Sequence, residues 1–218
     1  MKEFIGKYKH GIPMVVYMIC YLIAFAVVEQ YTKDNYTLIH VALDDKIPFL
    51  EVFVVPYMLW FPYVACFVLY FIFFDKEKYW EMFWFLVTGM TLFIIVSAVF
   101  PNGQELRPAE FARDNVFTRM IAGLYGTDTS TNILPSIHVY NSLGIHIAVM
   151  KSEKLKGHRI VRLVSGLLCT LIILSTMFIK QHSVVDVVTA FMLAAVTYPL
   201  FYVFLPRKKG NRMVAQNN

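Results

Sequence analysis

Long apolar runs separated by short polar breaks set the pattern of this chain. Six of them, at residues 12–28, 49–74, 82–100, 133–150, 160–179 and 184–205, are long enough, or nearly so, to cross a hydrocarbon core of about 30 Å as helices. The pattern predicts an all-α, polytopic membrane bundle of six transmembrane helices. It forms one domain over 1–218, with a basic tail at 1–11 and a basic, polar, disordered tail at 206–218. Lys2, Lys7 and Lys9 before the first run, and Ala24-Phe25-Ala26 within it, also fit a signal peptide. The apolar stretch is long for one, so an uncleaved first span is the expectation. Pro56 and Pro62 predict a kink in the second span. In the longest loop, 101–132, Phe117, Met120, Ile121 and Leu124 recur at helical spacing, which predicts an amphipathic helix lying at the membrane surface.

Composition narrows the class. The chain is 58% hydrophobic and 16% charged, with a mean hydropathy of +0.56, values that a soluble domain of 218 residues rarely reaches. The net charge of +5 changes the picture only through its distribution. With the N-terminus cytoplasmic and each run crossing once, the tails and the turns at 76–78 and 151–162 hold fourteen of the 20 basic residues. Lys33, Lys46, Arg107, Arg113, Arg119 and Lys180 fall on the other side. That bias is the positive-inside pattern, and it leaves no excess charge for a nucleic-acid partner to explain. Both termini are expected in the cytoplasm, most simply of a bacterial plasma membrane. Cys20, Cys66 and Cys169 lack metal-ligand spacing and read as buried small hydrophobes.

Three polar islands interrupt the runs: Gln104-Glu105-Leu106-Arg107-Pro108, Asn132 to His138, and Lys180 to Asp186. Six crossings place all three on the non-cytoplasmic face. Their chemistry fits phosphoryl transfer. His182 and Asp186 are four apart, on one helical face, so the carboxylate can orient a nucleophilic imidazole. His138 can protonate the departing oxygen and then activate the acceptor. Arg107 and Lys180, with backbone N–H groups where Ser136 opens a helix, can hold a phosphoryl group. Each residue also has a plainer role. Ser183 and Asp186 have capping-box spacing, Ser136 suits an N-cap, and Arg107 can meet lipid headgroups. His10, His40 and His158 read as interfacial, and His146 as a packed polar residue. The loop at 31–46, with Asp44 and Asp45, carries no legible chemistry.

Arg107-Pro108, Pro135-Ser136-Ile137-His138 and Ser175…His182…Asp186 stand in register with three motifs of a known family. The chain resembles the type 2 phosphatidic acid phosphatase superfamily. Its motifs are a lysine, six residues, then Arg-Pro; Pro-Ser-x-His; and Ser-Arg, five residues, His, three residues, Asp. The resemblance covers nearly the whole chain, since the six-span layout also matches. Two positions depart from it: Phe100 stands at the first-motif lysine and Thr176 at the third-motif arginine. Lys180 and Gln104, each one turn further on, are the expected replacements. These changes also bring the chain toward the inositol phosphorylceramide synthase-like branch. The resemblance implies a membrane lipid phosphatase that works without metal or other cofactor through a phosphohistidine on His182. Asp186 would orient it, and His138 would act as acid and then base. Arg107, Ser136, Lys180 and Gln104 would hold phosphate, with Asn132 and Asp128 shaping the pocket. Phosphatidic acid, phosphatidylglycerol phosphate and polyprenyl diphosphates are the expected substrates. A lipid phosphotransferase with the same histidine chemistry is the alternative, and a non-catalytic lipid-binding or transport protein a third reading. The membrane architecture disfavours the haloperoxidase branch.

Overall fold

Seven helices build the described residues, and six of them pack side by side. The computed structural model describes residues 6–204, so the expected disordered tail at 206–218 lies outside the described residues. The helices are α1 (Ile12–Thr32), α2 (Val54–Phe74), α3 (Lys76–Val99), α4 (Val116–Thr127), α5 (Ile137–Lys151), α6 (Arg159–Phe178) and α7 (Val184–Pro199). The regular structure of the described residues is all helical apart from a two-residue parallel ladder of β1 (Thr37–Leu38) and β2 (Asn102–Gly103).

Local chemistry sets the helix starts. Asp75 caps α3 by accepting from Lys78 N, 3.3 Å away. Asn115 and Thr118 cap α4 reciprocally, and Ser183 and Asp186 do the same for α7. Ser136 caps α5. In each case a side-chain oxygen meets a first-turn N–H that has no partner inside the helix.

Among the described residues, five helices are long and apolar enough to cross a membrane: Gly6–Thr32, Glu51–Phe74, Lys76–Val99, Arg159–Phe178 and Val184–Phe204. The run expected to span over 133–150 differs. Its helix, α5, has 15 residues, and at 1.5 Å per residue reaches about 22 Å, short of a bilayer core. The chain spends Asn132 to Ser136 on the turn into α5. Its length is tolerated because α5 is central, packed against α2, α3, α6 and α7. Val139, Tyr140, Ile145, Ala148 and Val149 are all buried there. Glycines allow the close approach to α3. A Cβ at Gly89 would overlap the Tyr140 ring, and one at Gly144 would come 2.7 Å from Phe85 Cδ1. In the space so made, the Phe85 and Tyr140 rings stack with centroids 4.6 Å apart.

The two ends of the bundle are built differently. At one end, Tyr8 packs on Phe73, His10 Nε2 lies 2.9 Å from Ile72 O, and Ser152 donates to Asp75. His10 is therefore a buried joint between α1 and α2 rather than an interfacial residue. Lys76, Lys78, Lys151, Lys154, Arg159 and Arg162 gather at this end. At the other end, β1 pairs with β2 and Gly103 bridges Thr131, so the segments after α1, after α3 and before α5 are stitched together. Buried Asn102 completes the seam by accepting from Ile133 N and Leu134 N, both at 2.9 Å. α4 lies at this end, with Phe117, Ile121 and Leu124 against Val54, Tyr57 and Ile179. Of the cysteines only Cys169 is buried. Cys20 and Cys66 lie exposed on the apolar flanks, where a thiol needs no enclosure.

Candidate active site

The stitched end gathers the three islands. α6 ends at Phe178, and the chain reverses through Lys180, whose φ of 56° is left-handed. The N–H groups of Gln181 and His182 both donate to Thr176 O, at 2.9 and 3.0 Å, and fix the reversal. His182 is thereby held just before the α7 cap, with Nδ1 3.3 Å from Asp186 Oδ2. That distance is long beside the usual 2.7–2.9 Å of a charge-assisted pair, and catalytic pairs commonly tighten when substrate binds. Asp186 is fully buried. Its Oδ2 also accepts from Ser183 N at 2.8 Å, and its Oδ1 has no partner among the described residues. Its backbone carbonyl accepts from Ser136 N at 3.1 Å, which joins the second island to the third.

This joint sets His138, in the first turn of α5, opposite His182, with ring centroids 5.7 Å apart. Tyr57 and Trp60 of α2 flank the His138 ring at 4.6 and 4.3 Å. No hydrogen bond holds either of its ring nitrogens among the described residues. The two histidines face a cavity of about 280 Å³. Asp128, Asn132 and Gln181 line its polar side, and Leu22, Phe25 and Phe93 line its apolar side. Ile137 and His138, the first residues of α5, also lie in the wall, so the positive end of that helix faces the cavity.

Four residues expected to hold phosphate stand elsewhere. Lys180 Nζ donates to the carbonyls of Asp44 and Ile47, at 2.8 and 2.6 Å, and is not in the cavity wall. Burial holds its ammonium below the usual lysine range. Gln104 is fully buried. Its Nε2 donates to Lys180 O at 2.9 Å and its Oε1 accepts from Leu106 N. Both therefore brace the loops and stand outside the cavity wall. Ser136 is a buried cap whose Oγ accepts from Val139 N at 3.4 Å. Arg107 sits one layer behind the wall. Its guanidinium donates to Tyr125 O, Asp128 O, Thr129 O and Gln181 Oε1, at 3.2, 2.7, 2.8 and 2.6 Å. It also stacks 4.3 Å above the Tyr125 ring. Burial lowers its pKa, and the neighbouring Asp128, Tyr125 and Tyr57 oppose that shift. Burial, partly offset by Arg107, pushes the Tyr125 phenol up to about 12.

Asn132 and Asp128 do reach the cavity. Asn132, at φ 55°, donates through Nδ2 to Thr32 Oγ1 at 2.7 Å, and its buried Oδ1 is unpartnered. Asp128 Oδ2 accepts from Tyr57 OH at 2.8 Å and from Gln181 Nε2 at 3.4 Å.

No family model, curated protein or solved structure matches this chain.

Other contributors escape the sequence. Tyr57 and Trp60 look like any aromatics on an apolar helix. Gln181 lies inside the third island, where its place between Lys180 and His182 was the available signal. Asp44 is 1% exposed and holds the start of α7: it accepts from Ser183 Oγ and Val184 N, at 2.7 and 2.8 Å, and from Val41 N at 2.9 Å. Its importance depends on a fold contact 140 residues away. Among the described residues no three His, Cys, Asp or Glu side chains converge as a metal site. The cavity thus offers an oriented imidazole, a second unrestrained imidazole and a helix N-terminus, on the border of an apolar wall.

Proposed function

We propose that this cavity is the active site of an integral membrane lipid-phosphate phosphatase. The observation that carries the reading is His182, paired with buried Asp186, facing His138 across one cavity. His182 Nδ1 is directed to the carboxylate, which leaves Nε2 to attack phosphorus. A P–N bond forms as the P–O bond to the lipid breaks, and His138 gives the departing oxygen its proton. His138 then takes a proton from water, which attacks the phosphohistidine, releases phosphate and restores His182. Developing charge on the phosphoryl oxygens is met by the first amides of α5. Arg107 acts from behind, fixing Gln181 and the Asp128–Thr129 backbone in the wall. A cavity of about 280 Å³ takes a phosphate headgroup and its first carbons, and the lipid chains leave past Leu22, Phe25 and Phe93. In this reading the bundle spans the membrane, with its basic end cytoplasmic. The site then lies on the opposite face with α4 at the interface, where Val116 and Met120 are exposed.

The test is phosphate release from phosphatidic acid, phosphatidylglycerol phosphate and a polyprenyl diphosphate by detergent-purified protein containing EDTA, against His182→Ala. Release that survives EDTA and is lost in the variant supports the reading. Release that needs a divalent metal, or that persists in the variant, overturns it.

A second reading, a lipid phosphotransferase, is favoured by the acceptors in the wall. Asp128 and the unpartnered Asn132 Oδ1 can receive a hydrogen bond from an acceptor hydroxyl. Transfer of a labelled headgroup to an alcohol, without phosphate release, would select it.

A further inference from the structure

A second cavity lies toward the basic end of the bundle, away from His138 and His182. It is a groove of about 720 Å³ between α5, α6 and α7. Its walls include Leu143, Leu163, Leu167 and Phe191, and the strong exposure of Leu163 and Leu167 opens it to the surroundings of the bundle. Arg159 and Arg162, on the first turn of α6, stand at its end. Neither has a carboxylate partner among the described residues. The nearest acidic side chain in sequence, Glu153, pairs with Lys156. Arg162 makes two contacts with uncharged groups, to Met150 Sδ at 3.3 Å and Lys156 O at 3.4 Å.

One polar side chain interrupts the apolar wall. His146 packs against Gly166, where a Cβ would come 3.2 Å from its Cε1. Its Nδ1 lies 3.1 Å from Ser165 Oγ, which lies 2.8 Å from the hydroxyl of buried Tyr63. When Tyr63 donates to Ser165 Oγ and Ser165 to Nδ1, the imidazole proton stands on Nε2; when Tyr63 donates instead to Ser165 O, 3.3 Å away, Nδ1 can keep the proton. Nε2 has no hydrogen-bond partner among the described residues, so a polar ring edge remains in an apolar groove. An ionisable side chain at membrane depth is costly and calls for a partner.

We propose that this groove binds one anionic phospholipid from the adjoining leaflet. Its phosphate sits at Arg159 and Arg162, an ester carbonyl accepts from His146 Nε2, and one acyl chain lies along Leu143, Leu163, Leu167 and Phe191. The spacing suits such a ligand. Ser165, which holds His146, is three residues deeper than Arg162, or about 4.5 Å along the helix. A glycerolipid's ester groups lie a few bonds below its phosphate. Charge selects the headgroup, since clustered arginines at a membrane boundary favour anionic lipids, and the imidazole sets the depth. The proposal rests on the bundle lying in a membrane and does not depend on the chemistry at His182.

The test is native mass spectrometry of the purified protein offered phosphatidylglycerol and phosphatidylcholine together, with inorganic phosphate as a separate addition. The expected result is one retained phosphatidylglycerol per chain, preferred by roughly tenfold and not displaced by millimolar phosphate. Arg159→Gln/Arg162→Gln removes the preference, His146→Leu weakens retention, and both variants keep wild-type phosphate release from a lipid phosphate. Equal retention of the two lipids by the wild-type protein overturns the proposal without recourse to any variant. Displacement by inorganic phosphate, or a preference unchanged in the double variant, also overturns it. Loss of phosphate release in His182→Ala, read on the same preparations, reports on the other cavity alone.

Discussion

Asp186 has two duties within one carboxyl group. Its Oδ2 accepts the Ser183 N–H that starts α7 and also faces His182 Nδ1. Asp186→Asn keeps an oxygen for the cap and loses the charge that orients and stabilises the imidazole. Turnover of a lipid phosphate should fall about 10²–10⁴-fold, while stability changes by less than about 1 kcal/mol. Parallel kinetics and melting curves check this, and equal loss of both would reduce Asp186 to a cap. Lys180 gives the opposite expectation. Its ammonium is held by two carbonyls of the segment 44–47. Lys180→Met should cost about 1–3 kcal/mol of stability and leave KM for the lipid phosphate unchanged. A raised KM with unchanged melting would return Lys180 to the phosphate site. The presence of a cation in the third island is legible from sequence, but its direction is not. That direction follows from a left-handed residue and from a loop more than 130 positions earlier.

At the scale of the helices, the contact between α3 and α5 limits what each can carry. Gly89 lies beneath the Tyr140 ring, whereas Gly123 in α4 has open space beside it. Gly89→Ala should therefore destabilise the protein by about 1–3 kcal/mol through overpacking. Gly123→Ala should be neutral or stabilising by up to about 1 kcal/mol. Thermal melting of the two variants side by side reads the difference. Five of the six apolar runs, and the presence of a helix in the loop 101–132, were legible because the runs and the residues Phe117, Ile121 and Leu124 announce themselves. The seam that converges the islands was not. It consists of two-residue strands and single side chains such as Asn102 and Asp44, whose partners are distant in sequence and leave no periodic trace.

For the whole molecule, charge asymmetry and the stitched loops divide the bundle into two unlike ends. The orientation proposed above predicts that Lys154→Cys is shielded from a membrane-impermeant maleimide added outside intact cells, and that Glu105→Cys is labelled. The reverse pattern would invert the topology. Native Cys20 and Cys66 lie on apolar flanks and should contribute little background. The enclosure of α5 has a further consequence, in the order of biogenesis. This helix carries His138, Asn141, Ser142 and His146 on only 15 residues, a poor candidate for entering lipid alone. Two of the helices that shelter it, α6 and α7, are synthesised after it. In the proposed reading His138 must therefore wait at the margin of the bilayer until the segment bearing His182 arrives, and the cavity is completed from the C-terminal side of the nascent chain.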